Sequence, residues 1–337
     1  MSYIWEEFTI SSPKLFDLLS KVDLHLHSHF SDGLVFPNDV VSQAQNKGYK
    51  YISVTDHNSI GGYDQKLLKQ CQENPINLIP GVEMDCGQGL DILVYDKLSN
   101  SISPEFLTQI GAITKSENSK RLDVASNCLK VIIKSLDKYN FPWLNWPTWD
   151  DNQKQKFISK FTTENLLKIN LDSGELDIQG RDYYVSKSHI IRLALVLDLI
   201  NVPKFNEHFQ VDNPKKTGKK LKKILFKDFC HWEYDESGVD ESLLTRLKKT
   251  GFVLVLAHPG KAYEDSEPKS ISESSFRQFV AHTFRNFQLD GVECQYRNYK
   301  DQPFDYNKIA FESLKSIANN KKVIITAGSD SHKGFPG

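Results

Sequence analysis

The chain lacks a cysteine framework. Its five cysteines, Cys71, Cys86, Cys128, Cys230 and Cys294, are scattered through 337 residues with no Cys-x-x-Cys pair. An odd, unpatterned set fits a reducing cytoplasm better than a disulfide scaffold. It also lacks charge of one sign. A net charge of −1 provides no global basic field to announce a nucleic-acid partner. No apolar run approaches the roughly 18 residues of a membrane span. The N-terminus "MSYIWEEFTISSPKLFDLL" has neither the basic nor the apolar region of a secretory signal. A soluble, cytoplasmic protein is therefore expected. There is no GxGxxG, no GxxxxGK[ST] and no serine nucleophile elbow, which removes the usual nucleotide-loop and serine-hydrolase readings. Gly61-Gly62 marks a turn after "TDHNSI".

What is present is a series of short apolar runs. "KVDLHLH" (21–27), "YKYISVTDH" (49–57), "NLIPGVE" (77–83), "LDILVY" (90–95), "GFVLVLAHP" (251–259), "LDGVECQY" (289–296) and "KKVIITAGSD" (321–330) read as buried strands. Helix-like segments lie between several of them. "PNDVVSQAQNKG" has proline at its start and Gly48 at its stop, and "FDYNKIAFESLKSIANN" precedes the last strand. Strand–helix alternation predicts a parallel α/β architecture. The length allows one large unit or two domains. From about 103 the pattern changes to Lys, Asn and Asp with aromatic clusters such as "FPWLNWPTWDD". Expected is a mostly helical insertion over 103–244, between barrel parts at 1–102 and 245–337. Within it, "NPKKTGKKLKKILFK" reads first as a solvated helix face or loop and second as a phosphate-backbone contact.

The apolar runs end in metal-capable side chains. In a strand alternate residues share a face, so Asp23, His25 and His27 face away from Val22, Leu24 and Leu26. Asp32 follows in the next loop. "YISVTDH" ends in Asp56 and His57, "LIPGVE" in Glu83, "FVLVLAHPG" at His258, and "VIITAGSDSH" in Asp330 and His332. In a parallel α/β barrel, residues just past the strand ends gather at one mouth. Polar groups there are costly at a core edge unless paired or metal-bound. Imidazole and carboxylate donors suit Zn²⁺, Mn²⁺ or Fe²⁺, and a cysteine-free set argues against a closed structural zinc site. The eight candidates His25, His27, Asp32, His57, Glu83, His258, Asp330 and His332 are too many for one ion with open positions. Two or three ions are expected, with Glu83 as the bridging carboxylate. Such a cluster makes a hydroxide nucleophile and clamps a phosphoryl group.

"DLHLHSHFSDG", "ISVTDHNSI", "IPGVEMD", "VLAHPG" and "TAGSDSHKG", in that order, resemble the motif series of the polymerase and histidinol phosphatase (PHP) family. The resemblance covers about residues 21–96 and 245–334. It implies a distorted (β/α)7 barrel with two or three divalent metal ions. By it, His25, His27, Glu83 and Asp330 hold one ion, Glu83 and His258 share a second, and Asp32, His57 and His332 hold a third. Many members carry histidine where "LDILVY" has Asp91, so Asp91 is either a substitute ligand or an ordinary strand-edge acid. "VSKSHIIRLAL" resembles the family's "RPHIARAL" segment through His189 and Arg192. The family's leading arginine is absent, and Lys187 lies one position off. The resemblance implies that Arg192 binds a substrate phosphate and His189 binds it or protonates the leaving oxygen. Arg297, just past a strand, is a further phosphate-contact candidate. His29 is expected near the site without ligating. Asp23 and Asp56 read as partners that orient imidazoles, or as simple strand-end polarity.

The expected activity is metal-dependent hydrolysis of phosphate esters of nucleotides or short oligonucleotides, with the insertion as a substrate lid. The alternatives are histidinol-phosphate phosphatase and a degenerate binding or assembly module. Family barrels often continue beyond a motif like "GSDSHKG", so a protein partner or further C-terminal segment is expected to cover one edge of the site. No membrane partner is expected.

Overall fold

The computed structural model describes residues 4–138, 141–168, 183–226, 230, 239–266, 271–297, 303–318 and 322–333. In chain order the elements are α1 (Leu15–Leu19), β1 (Val22–Leu26), α2 (Pro37–Asn46), β2 (Tyr51–Val54), α3 (Gln65–Glu73), β3 (Asn77–Leu78), β4 (Gly81–Asp85), β5 (Asp91–Tyr95) and α4 (Pro104–Leu136). Then come α5 (Asp151–Lys160), α6 (Thr163–Lys168), α7 (Lys187–Val196), α8 (Val202–Phe209) and α9 (Pro214–Ile224). The chain continues with α10 (Glu241–Thr250), β6 (Val253–Leu256), α11 (Pro259–Ser266), α12 (Glu273–Asn286), β7 (Gly291–Tyr296), α13 (Tyr306–Ile317) and β8 (Ile324–Gly328).

Two compact units result. One comprises Met1–Ser116 with Ser237–Gly337, the other Glu117–Glu236. The division falls inside α4. Its first turns belong to the larger unit because Phe106, Ile110 and Ile113 pack into that unit's core, as do Leu243, Leu244 and Leu247 of α10.

The larger unit is an α/β structure with two sheets, in strand order β1-β2-β3 and β4-β5-β6-β7-β8. The first sheet is parallel. Single bridges link the two, Leu26 to Ser331 and His57 to Glu83. This departs in two ways from the expected ring of seven parallel strands. First, "NLIPGVE" is two strands. Ile79 and Pro80 break it, and the halves enter different sheets. Second, β5 runs antiparallel to both β4 and β6. The cause is local. Gly87 (φ 84°), Gln88 (φ 51°) and Gly89 (φ 71°) occupy the left-handed region, which glycine enters without steric cost, and they turn β4 straight back into β5.

Packing follows the strand pattern. Val40, Val41 and Ala44 of α2 and Leu67 and Cys71 of α3 are buried with Leu26, Ile52, Val54 and Leu78. Each fully buried valine or leucine contributes about 1.5–3 kcal/mol. Side chains cap the helix starts. Asp64 accepts from the Leu67 N–H, Asp240 from Leu243 and Asp305 from Lys308.

The smaller unit is helical. Ala125, Cys128, Leu129 and Ile132 of α4 are buried in it. Trp143 meets Phe205 edge-on at 5.2 Å, and Trp146 meets Phe157 at 5.8 Å. The two tryptophans come from the aromatic-rich stretch that follows α4. Among the described residues no helix is long and apolar enough to cross a membrane.

Candidate metal centre

The larger unit brings the strand-end residues together. His25 lies within β1 and His27 just beyond it. His57 follows β2, Glu83 is central in β4, His258 follows β6, and Asp330 and His332 follow β8. His25 Nε2 lies 3.1 Å from Glu83 Oε1, and His27 Nε2 lies 3.0 Å from Asp330 Oδ1 and 3.3 Å from Glu83 Oε2. His57 Nδ1 and His258 Nε2 each reach Glu83 at 3.0 Å. His332 Nε2 lies 3.0 Å from Asp32 Oδ1. Four imidazoles therefore surround one fully buried carboxylate.

Three groups of donors emerge, with ligand atoms within 4.8 Å of one another in each. They are His25, His27, Glu83 and Asp330; then Glu83, Asp91 and His258; then His27, Asp32, His57 and His332. Asp91 joins the second group, 3.5 Å from His258 Nε2. It stands at the start of its strand, yet the β4–β5 reversal sets it opposite Asp85 at the end of β4. The antiparallel turn thus delivers it to the same rim as the other strand ends.

The residues present fit metal ions on an observation within the site. His25 Nε2, His27 Nε2 and Glu83 Oε2 are buried and make no hydrogen bond of acceptable geometry, although His27 Nε2 lies 3.3 Å from Glu83 Oε2 and His25 Nε2 lies 3.1 Å from Glu83 Oε1. Buried polar atoms are rarely left so. A cation between these donors would use the lone pairs that no hydrogen bond occupies. The backbone agrees. His258 (φ 24°), Asp330 (φ 49°) and Asn58 (φ 43°), the residue after His57, all have positive φ, a cost of order 1 kcal/mol or more each that persists where surroundings dictate it.

Electrostatics bind the cluster even as bare side chains. Burial would lower the His25 pKa, but the Glu83 and Glu293 carboxylates hold it well above its ordinary value. His57 likewise opposes burial and is pushed up to about 10 by Glu83 and Asp32. Burial would raise Glu83, yet His25 and His57 hold it well below the carboxylate range. Asp330 is held down in the same way by His27 and His25, and Asp32 by His332 and His57. Asp91 goes the other way. Burial and the nearby Glu83 and Asp85 raise it to about 6.

Glu293 is the residue that sequence reading missed. It is fully buried on β7, its carboxylate oxygens lie 3.3 Å from His25 Nδ1, and Oε2 accepts the His258 N–H at 2.8 Å. It therefore orients two candidate ligands. The signal was there. Gly291-Val292-Glu293 repeats Gly81-Val82-Glu83, an acid inside an apolar strand. Gly328 makes room for it, since a Cβ there would overlap the Glu293 carboxylate and His25 Cβ. Tyr296 was missed too, and its hydroxyl donates to Asp330 Oδ2 at 2.9 Å. Lys261, at the start of α11, places Nζ 3.7 Å from Asp330 Oδ2 with its side chain half exposed.

Other expectations fare differently. Asp23 and Asp56 do not orient imidazoles. Asp23 accepts from the Ser329 N–H and Arg297, while Asp56 accepts from the Ser28 N–H and hydroxyl and from Ser31. Both use their oxygens to pin loops. Arg297 is drawn away from a phosphate role. Its guanidinium donates to Val22 O (2.6 Å), Leu19 O (3.0 Å), Asp23 Oδ2 (3.3 Å) and the Tyr49 hydroxyl (3.3 Å). His29 packs on Phe36 and lies 3.3 Å from Val35 O through Nδ1. His189 and Arg192 are on α7 in the smaller unit, three residues apart on one helix face. His189 is buried, and its Nδ1 accepts the Ser186 N–H at 3.1 Å as part of the helix cap. Arg192 is half-buried.

Comparison with known proteins places this geometry. Residues 23–185 match the family model described as PHP domain. A 5′-3′ exoribonuclease of Haemophilus influenzae is 36% identical over 85 residues, which is 24% of this chain and 31% of that protein. An uncharacterised protein of Methanocaldococcus jannaschii is 26% identical over 130 residues, covering 34% of this chain and 72% of its own length. The chain's match thus spans about a third of the exoribonuclease. Among solved structures, a proposed metal-dependent phosphoesterase of Bifidobacterium adolescentis aligns over 94% of this chain and 89% of that one, at 21% identity and a TM-score of 0.52. An amidohydrolase of Chromobacterium violaceum, solved with sulfate and no metal, aligns over 93% and 88% at 17% identity and a TM-score of 0.53. At these identities the two structures speak for the fold.

Proposed function

From the premise that the chain carries a PHP domain, we propose that it is a metal-dependent phosphoesterase acting on nucleotides or short oligonucleotides. One observation carries the reading. Glu83 belongs to two adjacent donor groups at once, the arrangement needed for a carboxylate shared between neighbouring cations. Divalent ions held there would supply Lewis acidity toward a phosphoryl oxygen and lower the pKa of a water to near neutrality.

The chain's own residues do the rest. His25, His27, Glu83 and Asp330 would hold an ion at the most buried position, Asp91 and His258 with Glu83 would hold a second, and Asp32, His57 and His332 with His27 would hold the outermost. The Lys261 ammonium lies at the rim, where an anionic ester would meet it. The likeness of the His189–Arg192 segment to the family's "RPHIARAL" supports a phosphate contact for these two residues. A nucleotide substrate is favoured over histidinol phosphate by the likeness to the exoribonuclease. Complete donor groups weigh against a degenerate assembly module, because they would otherwise bury polar atoms without return.

The test is direct. The purified chain with Mn²⁺ should hydrolyse a generic aryl phosphate or a 5′-phosphorylated oligonucleotide, and a chelator should abolish this. Histidinol phosphate in the same panel separates the alternative substrate. Full turnover by His57→Ala and Asp330→Ala would sink the assignment, and so would fewer than one ion per chain by elemental analysis.

A further inference from the structure

The smaller unit carries a concentration of positive charge that the metal centre does not explain. α9 has lysines at 215, 216, 219, 220, 222 and 223, and no acidic residue occurs between Asn213 and Phe226. Lys216, Lys219, Lys220, Lys222 and Lys223 are exposed. At about 100° per residue they fill an arc of roughly 160°. Thr217, Leu221 and Ile224 occupy the opposite arc and are buried.

Helix stability does not account for this pattern. The helix dipole favours cations in the last turn, which covers Lys222 and Lys223 alone. Lys215 and Lys216 sit in the first turn, where acids are preferred. The spacings 216/220 and 219/223 set like charges one turn apart, where they repel. Gly218 in mid-helix weakens the helix further. Other surface helices of the chain mix signs, as in Lys69 with Glu73 and Arg277 with Glu273. On α9, Lys216 meets Asp212 at 3.0 Å, an acid that precedes the helix.

We propose that this lysine face binds the sugar-phosphate backbone of a single-stranded polynucleotide. The inference deepens the phosphoesterase reading and rests on it for the identity of the strand. Lys216 to Lys223 spans about 10.5 Å of helix, the axial length of about three phosphates on one strand. Lysines act as point charges without the planar fork that reads bases, so binding is independent of sequence. A membrane surface is disfavoured because the apolar residues of α9 are turned inward, leaving nothing to insert between lipids.

The experiment compares the whole chain with Lys219→Gln/Lys220→Gln/Lys223→Gln. Binding of a fluorescent 20-nucleotide RNA is followed by anisotropy in EDTA across a salt series. Turnover of an aryl phosphate with Mn²⁺ is measured in parallel. The expected result is at least tenfold weaker RNA binding by the variant at low salt, a slope of log K against log salt shallower by about 2, and unchanged aryl-phosphate turnover. Equal affinity and slope in the two proteins would overturn the proposal, as would binding to phosphatidylserine vesicles in place of RNA. If the RNA result is as expected but neither protein turns over the aryl phosphate, the surface stands and the hydrolase reading falls.

Discussion

Replacing Glu293 by glutamine tests whether the buried cluster is a metal centre or a self-contained ionic core. The carboxylate serves two donors, the His25 Nδ1–H and the His258 backbone N–H at 2.8 Å. Glutamine has one acceptor oxygen and one NH₂ group. If its oxygen takes the His258 N–H, its NH₂ faces His25 Nδ1 and drives the imidazole proton to Nε2. That nitrogen is the one directed at Glu83 and Asp330, and once protonated it cannot ligate. If the amide is flipped, its NH₂ opposes the His258 N–H, at a residue whose φ is already 24°. The first orientation works against the ligating tautomer and the second leaves one buried donor facing another, each at about 1–3 kcal/mol. This corresponds to about 10- to 100-fold in affinity for the ion, the range seen when such orienting partners are removed. Metal-free protein titrated with Mn²⁺ against a chromogenic chelator, with near-ultraviolet circular dichroism to confirm packing, measures it. Wild-type affinity and stoichiometry in a folded Glu293→Gln protein would refute the reasoning.

Other consequences follow from the same site. In the metal-free chain the His57 pKa is raised to about 10 and that of Asp91 to about 6. A raised folded-state pKa stabilises below the unfolded value and is lost as pH climbs through the folded one. The EDTA-treated protein should therefore lose thermal stability as pH rises, first between about 4 and 6 and again between about 6.5 and 10. Metal must displace those protons, so the gain in Tm on adding Mn²⁺ should grow over the upper interval; a gain independent of pH in differential scanning fluorimetry would contradict this. Lys261→Gln removes the cation at the rim and should raise KM for an aryl phosphate about tenfold, equivalent to about 1.4 kcal/mol, while metal stoichiometry stays intact. Gly328→Ala should fold poorly or lose metal, because its Cβ would displace Glu293 and His25 together; a Tm and metal content equal to wild type would show the site to be more plastic than its packing implies.

The donor set was legible in the chain because strand ends advertise it. An apolar run followed at once by His, Asp or Glu needs no partner to be noticed, and His25, His27, His57, Glu83, His258 and Asp330 each stood in such a place. Start and stop residues likewise gave the helix between β1 and β2 and the one before β8. Glu293 escaped because its run, "LDGVECQY", continues past it, so the acid did not end an apolar stretch although it repeats the Gly-Val-Glu that carries Glu83. Arg297 was misjudged for a related reason. A cation past a strand end advertises charge, but its direction depends on what lies across the sheet, here Asp23 and two carbonyls of the β1 entry.

Local sequence thus determined which residues had the chemistry and which elements carried them, since side-chain type and periodicity act over a few residues. Tertiary structure alone decided the direction of β5, the placing of Asp91 beside Glu83 and His258, and that of Glu293 beside His25. These depend on where strands 175 residues apart, such as those bearing Glu83 and His258, come to rest, and long-range pairing is fixed by the collective burial of the whole core.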